Sequence, residues 1–106
     1  GRNFGGLNIA LTVDPENQYF STDDLGVLYN KDKTLLYYCP NLPYTFDYTV
    51  RCDLNKSAFK GCENLRNVDI AYNLRAIPTY AFNGCKNLNT VTLPATLQRV
   101  DGAAFD

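Results

Sequence analysis

The chain holds 106 residues, 45% of them apolar and 20% charged, and ten Lys and Arg stand against eleven Asp and Glu for a net charge of −1. That is the length of one domain and the composition of a foldable, soluble chain, and its balanced charge leaves no basic excess to hold nucleic acid. Apolar runs of at most five residues fall far short of the ~20 a membrane span needs, and the absence of any His removes imidazole acid–base chemistry and His-ligated metals.

The chain begins with Gly1 rather than Met, as expected of a processed product or an excised fragment. Leu7, Ile9, Leu11 and Val13 alternate with Asn8, Ala10 and Thr12, which predicts a half-buried strand. Asp14-Pro15-Glu16-Asn17 is turn chemistry. Val27-Leu28-Tyr29 and Leu35-Leu36-Tyr37-Tyr38 flank Asn30-Lys31-Asp32-Lys33-Thr34, predicting a β-hairpin near 26–40. That hairpin is expected to project from the rest of the molecule or to lie along its side. Phe46, Val50 and Leu54 fit, with one extra residue, the second half of a unit that recurs downstream.

The recurrence is plain from residue 58 onward. Ala58-Phe59-Lys60-Gly61-Cys62-Glu63-Asn64-Leu65 and the following Val68 and Ile70 align, at an offset of 23, with Ala81-Phe82-Asn83-Gly84-Cys85-Lys86-Asn87-Leu88, Val91 and Leu93. Ala104-Phe105 opens a third copy. A 23-residue period lies in the leucine-rich-repeat range. In L-x-x-V-x-I the alternate residues Val68 and Ile70 point inward and Asn67 and Asp69 outward, as in a short strand. One unit cannot cover its own apolar face, so stacked units must build one continuous core. Phe59 and Phe82 are expected in it, with Cys62 and Cys85 as small fillers, while Gly61 and Gly84 mark turns that require positive φ. Asn64 and Asn87 are placed to bond loop backbone of their own or the next coil. Helix is limited to single turns near Lys56–Phe59 and Thr79–Phe82.

The motif A-F-x-G-C-x-N-L-x-x-V-x-I/L-P at 81–94, with its near copy at 58–70, resembles the BspA-like leucine-rich repeat family. Val13-Asp14-Pro15-Glu16-Asn17-Gln18-Tyr19 and Asp24–Pro40 resemble that family's longer unit, with Leu25 inserted before Gly26 and Cys39 before Pro40. The resemblance implies a leucine-rich-repeat solenoid, mostly β, of short parallel strands and 23-residue coils with an inserted β-hairpin and little helix. The expected organisation is a long unit over 7–57, repeats at 58–80 and 81–103, and the start of another at 104–106, all part of a longer array. It also implies an extracellular or cell-surface location and adhesion to a host or microbial surface or matrix protein.

Each candidate site competes with a plainer role. Cys39 and Cys52 lie outside the repeat positions and are either free or joined in one disulfide; without C-x-x-C or His, no zinc site is expected. Asp14, Glu16, Asn17, Asp23 and Asp24 gather hard oxygens, yet no calcium-loop spacing is present, and solvated turns are the favoured reading. Tyr37 and Tyr38 face opposite ways on a hairpin strand, so at least one is expected exposed or packed on a neighbour, and Tyr29, Tyr44 and Tyr48 lie close to them in sequence. Asn67, Asp69, Asn89 and Thr92, with Arg66 nearby, are expected side by side on the outer sheet face, the surface on which solenoids bind partners. Asn55-Lys56-Ser57 matches a glycosylation sequon. The resulting expectation is a binding module without catalysis, cofactor or metal. A structural spacer and a carbohydrate-binding module are the alternatives.

Overall fold

The computed structural model describes residues 4–7 and 9–106. Nine short strands form and, among the described residues, no helix: β1 (Phe20–Thr22), β2 (Leu28–Asn30), β3 (Leu35–Tyr38), β4 (Phe46–Val50), β5 (Asp53–Leu54), β6 (Leu65–Ile70), β7 (Ala76–Ile77), β8 (Thr90–Thr92) and β9 (Arg99–Val100). They build a solenoid of about three turns. One face is the parallel sheet β4-β6-β8; the other carries the parallel pair β7-β9 and the sheet β1-β2-β3-β5.

The 23-residue period appears directly in the pairing. Val68 lies beside Val91, and Ile77 beside Val100. Backbone bonds climb from coil to coil through the turns as well. The N–H groups of Phe59 and Phe82 donate to Ala81 and Ala104, each at 2.7 Å, and that of Gly61 donates to Asn83 at 2.8 Å. Gly61 and Gly84 adopt φ of 78° and 76°, the left-handed region that a side chain would strain. Asn64 Nδ2 donates to the Leu42 carbonyl at 2.7 Å and Asn87 Nδ2 to the Glu63 carbonyl at 2.8 Å, so these two amides tie adjacent coils as expected. The predicted single turns at 56–59 and 79–82 stay turns.

The core is a set of stacked columns. The rings of Phe59 and Phe82 stack with centroids 5.1 Å apart and planes within 9°, and Phe82 stacks on Phe105 at 5.4 Å. Leu65, Val68, Ile70, Ile77 and Cys62 fill the buried space beside them. One coil earlier, the slot of the next Phe holds Cys39, whose N–H donates to Ala58 as those of Phe59 and Phe82 donate to the coils above. The small thiol leaves room that the Tyr48 ring fills, edge-on to Phe59 at 5.7 Å.

Three expectations are corrected. No strand forms over Leu7–Val13 among its described residues: the Tyr38 hydroxyl accepts the Ile9 N–H at 2.9 Å and donates to the Ile9 carbonyl at 2.5 Å, taking both backbone groups a ladder would use. Asn8 lies outside the described residues. The hairpin is instead extended by β1, a strand the pattern did not suggest, into an antiparallel meander β1-β2-β3. Of the two placements expected for the hairpin, it takes the one along the side of the solenoid, because β3 pairs in parallel with β5. Finally, the strand at 46–50 pairs Tyr48 with Val68 and Val50 with Ile70, with a bulge after Phe46. It therefore sits 20 residues from its partner rather than one residue off the 23-residue period.

The second face is interrupted. β5 and β7 occupy equivalent places 23 residues apart yet form no ladder. Asp101 N–H donates to Ile77 at 2.9 Å to join β9 to β7. One coil earlier its equivalent is Pro78, which has no N–H to give to Leu54.

Candidate functional site

The outward face of β4-β6-β8 is a small polar grid set by strand register. Asp47, Asn67 and Thr90 form one row, and Thr49, Asp69 and Thr92 the next. The first row is bonded along its length. Thr90 Oγ1 donates to Asn67 Oδ1 at 2.6 Å, and Asn67 Nδ2 donates to Asp47 Oδ1 at 2.9 Å. Such side chains are already ordered before any partner arrives, which lowers the entropy cost of binding. Inward-facing Leu65, Val68 and Ile70 hold the grid rigid from behind.

Arg66, Asn67, Asp69, Asn89 and Thr92 all lie on this outer side, and only Asn67 is as much as half-buried. The repeat equivalent of Asn67 is Thr90 rather than Asn89; Asn89 belongs with Arg66, to whose carbonyl its N–H donates at 2.7 Å. Asp47, Thr49 and Thr90 were missed. Thr90 was legible from the 23-residue offset, whereas Asp47 and Thr49 required the irregular register of β4. Nearby, Lys86 and Glu63 form an exposed ion pair at 3.3 Å, a contact of little energetic weight.

Tyr37 and Tyr38 do not stand exposed together. Tyr38 is buried and Tyr37 half-buried, its ring packed edge-on to Phe4 at 5.6 Å and against Phe20 at 5.6 Å. Hairpin packing therefore uses both. Tyr29 and Tyr48 are buried as well: the Tyr48 hydroxyl donates to Asp23 Oδ2 and bonds the Tyr29 hydroxyl. Burial is the main cause that pushes the Tyr29 and Tyr48 hydroxyls above the usual phenol range. This chain of bonds pins the meander to the solenoid.

Asp14, Asn17 and Asp23 brace their own loops, and Asp23 also accepts the Tyr48 hydroxyl. Asp14 Oδ1 accepts the Glu16 N–H at 2.8 Å, Asn17 Oδ1 accepts those of Tyr19 and Phe20, and Asp23 Oδ1 accepts those of Leu25 and Val27 at 3.0 Å. The four cysteines are free thiols, and Cys39 and Cys52 are not joined. Cys62 Sγ donates to the Cys39 carbonyl and Cys85 Sγ to that of Phe59, each at 3.1 Å. The neighbouring Cys62 thiol, with burial, raises Cys39 well above the ordinary thiol value; burial pushes Cys52 up to about 11 and Cys85 up to about 12. Protonated buried thiols are poor nucleophiles. Ser57 of the sequon is buried, so the folded chain hides the hydroxyl.

Comparison with known proteins agrees with this architecture. A family model described as BspA type leucine rich repeat region, in six copies, matches residues 33–106. The crystal structure of the pneumococcal vaccine antigen PcpA is similar with a TM-score of 0.74 and 30% identity, over 83% of this chain. The chain spans 22% of that protein's length. No curated protein matches it.

Proposed function

The chain belongs to the BspA type leucine-rich repeat family, and from that premise we propose that it is a non-catalytic, surface-exposed repeat module that mediates protein–protein contact or cell adhesion through its extended sheet face. The observation that carries this reading is the pair of in-register polar rows on β4-β6-β8. A rigid, pre-ordered polar surface gives many modest contacts at low entropy cost, the way solenoids engage macromolecules. The similarity to a pneumococcal vaccine antigen supports an extracellular setting, and membership of the repeat family supports a protein partner, read here as a host or microbial surface or matrix protein. The raised Cys39, Cys52 and Cys85 thiols and the loop bonds of Asp14 and Asp23 support a role without catalysis.

The test is quantitative binding of the chain to immobilised fibronectin, laminin and collagen, beside a variant carrying Asn67→Ala, Asp69→Ala and Thr90→Ala. Saturable binding that weakens ~10-fold or more in the variant is expected, the equivalent of ~1.4 kcal/mol. Binding that persists unchanged would move the contact off the sheet face. Silence across the panel would favour the spacer reading.

A further inference from the structure

The interrupted second face leaves a groove of about 460 Å³ beside β5, β7 and β9. That volume is within the range of small-ligand sites, about 300–1,000 Å³. It exists because Pro78 denies β5 and β7 their ladder. Buried Leu54 and Leu74 contribute apolar surface to its lining, and Asp53, Tyr72, Asn73, Arg75, Arg99 and Asp101 supply polar groups and an aromatic ring.

Arg99 Nε is already paired with Asp101 Oδ1 at 2.9 Å. The Asp53 carboxylate and the Arg75 guanidinium, by contrast, make no ion pair or side-chain hydrogen bond among the described residues. Two Arg and two Asp cancel, so the lining has no net charge to select an ion. What it offers is an acceptor in Asp53, donors in Arg75 and a donor–acceptor amide in Asn73, together with the ring of Tyr72, which is 38% exposed.

We propose that this groove is a binding site for a neutral saccharide. Vicinal hydroxyls both donate and accept, which matches an adjoining carboxylate, guanidinium and amide that are not bonded to one another; the apolar face of a pyranose matches a tyrosine ring. An acidic ligand would gain from Arg75 and lose to Asp53, and a purely apolar one would leave Asp53, Asn73 and Arg75 unmatched. The site lies on the other face from the polar rows of β4-β6-β8 and is independent of the adhesive reading.

The experiment is an amide NMR titration of the whole 106-residue chain with maltotriose, cellotriose, mannotriose and chitotriose, with trigalacturonate as the anionic comparison. Saturable shifts at 53, 72–76 and 99–101 with a neutral trisaccharide are expected, unchanged by added salt. Arg75→Gln and Asp53→Asn should each weaken binding ~10-fold, while the sheet-face variant should bind as the parent does. Both groove substitutions are at exposed positions; Asp53→Asn is isosteric, Arg75→Gln shortens the side chain while keeping an amide donor, and unshifted core resonances certify the fold. The proposal is overturned if no neutral trisaccharide moves the groove amides, if the shifts survive both substitutions, or if trigalacturonate alone binds.

Discussion

At the scale of single residues, position in a column decides what a side chain contributes. Phe59 is fully buried between Tyr48 and Phe82, whereas Phe105 covers Phe82 with one face and is 45% exposed. Phe59→Ala should therefore cost ~3–5 kcal/mol, as for other large core truncations, and Phe105→Ala far less, both read from urea midpoints at constant m-value. The thiols make a second prediction. Cys52 and Cys85 ionise at about 11 and about 12 in the fold, against 9.0 for an unperturbed thiol. The unfolded chain gives up these protons first, so the contribution to stability is whole below pH ~9 and is lost as pH rises through the folded values. Urea unfolding across pH 7 to ~11 should show falling stability on the alkaline side, and a thiol reagent should label the native chain slowly and the denatured chain at once.

Among the elements, the meander is the least repetitive part and the most dependent on specific bonds. It is joined to the solenoid by β3–β5 pairing and by the buried Tyr29–Tyr48–Asp23 hydroxyl network. Tyr48→Phe keeps the ring over Phe59 but removes the donor to Asp23, and should cost ~1–3 kcal/mol. Tyr44→Phe is the matching control, at a 56% exposed ring, and should stay within ~0.5 kcal/mol. A Tyr48→Phe protein as stable as the parent would show that the β3–β5 ladder alone holds the meander. The sequence foretold the hairpin but not β1, because Phe20-Ser21-Thr22 has too short a pattern to stand out from the surrounding turn residues.

Over the whole molecule, stability should follow burial from the centre outward. β6 is flanked by β4 and β8 and buries Leu65, Val68 and Ile70, while Leu93 and Val100 of the last coil are about half-exposed. In a solenoid each coil is stabilised by its neighbours, so protection grades along the stack. Native-state hydrogen exchange should find the amides of β4 and β6 slowest and those of β8 and β9 fastest. Uniform protection across all coils would instead mean that the stack opens only as one cooperative unit.

By itself the sequence determined the period, and with it the Phe column, the glycine turns, the Asn ties between coils and the outward placement of Asn67 and Asp69. These follow from identity between copies: the same residue at the same offset meets the same neighbours in every turn. Tertiary structure decided whatever depends on unlike residues meeting across coils. Cys39 stands in a phenylalanine slot because Tyr48 fills the space, Tyr37 and Tyr38 are spent on packing, and Pro78 opens a groove only because Leu54 lies opposite. Such substitutions between different residue types carry no periodic mark, so only the packed stack reveals them.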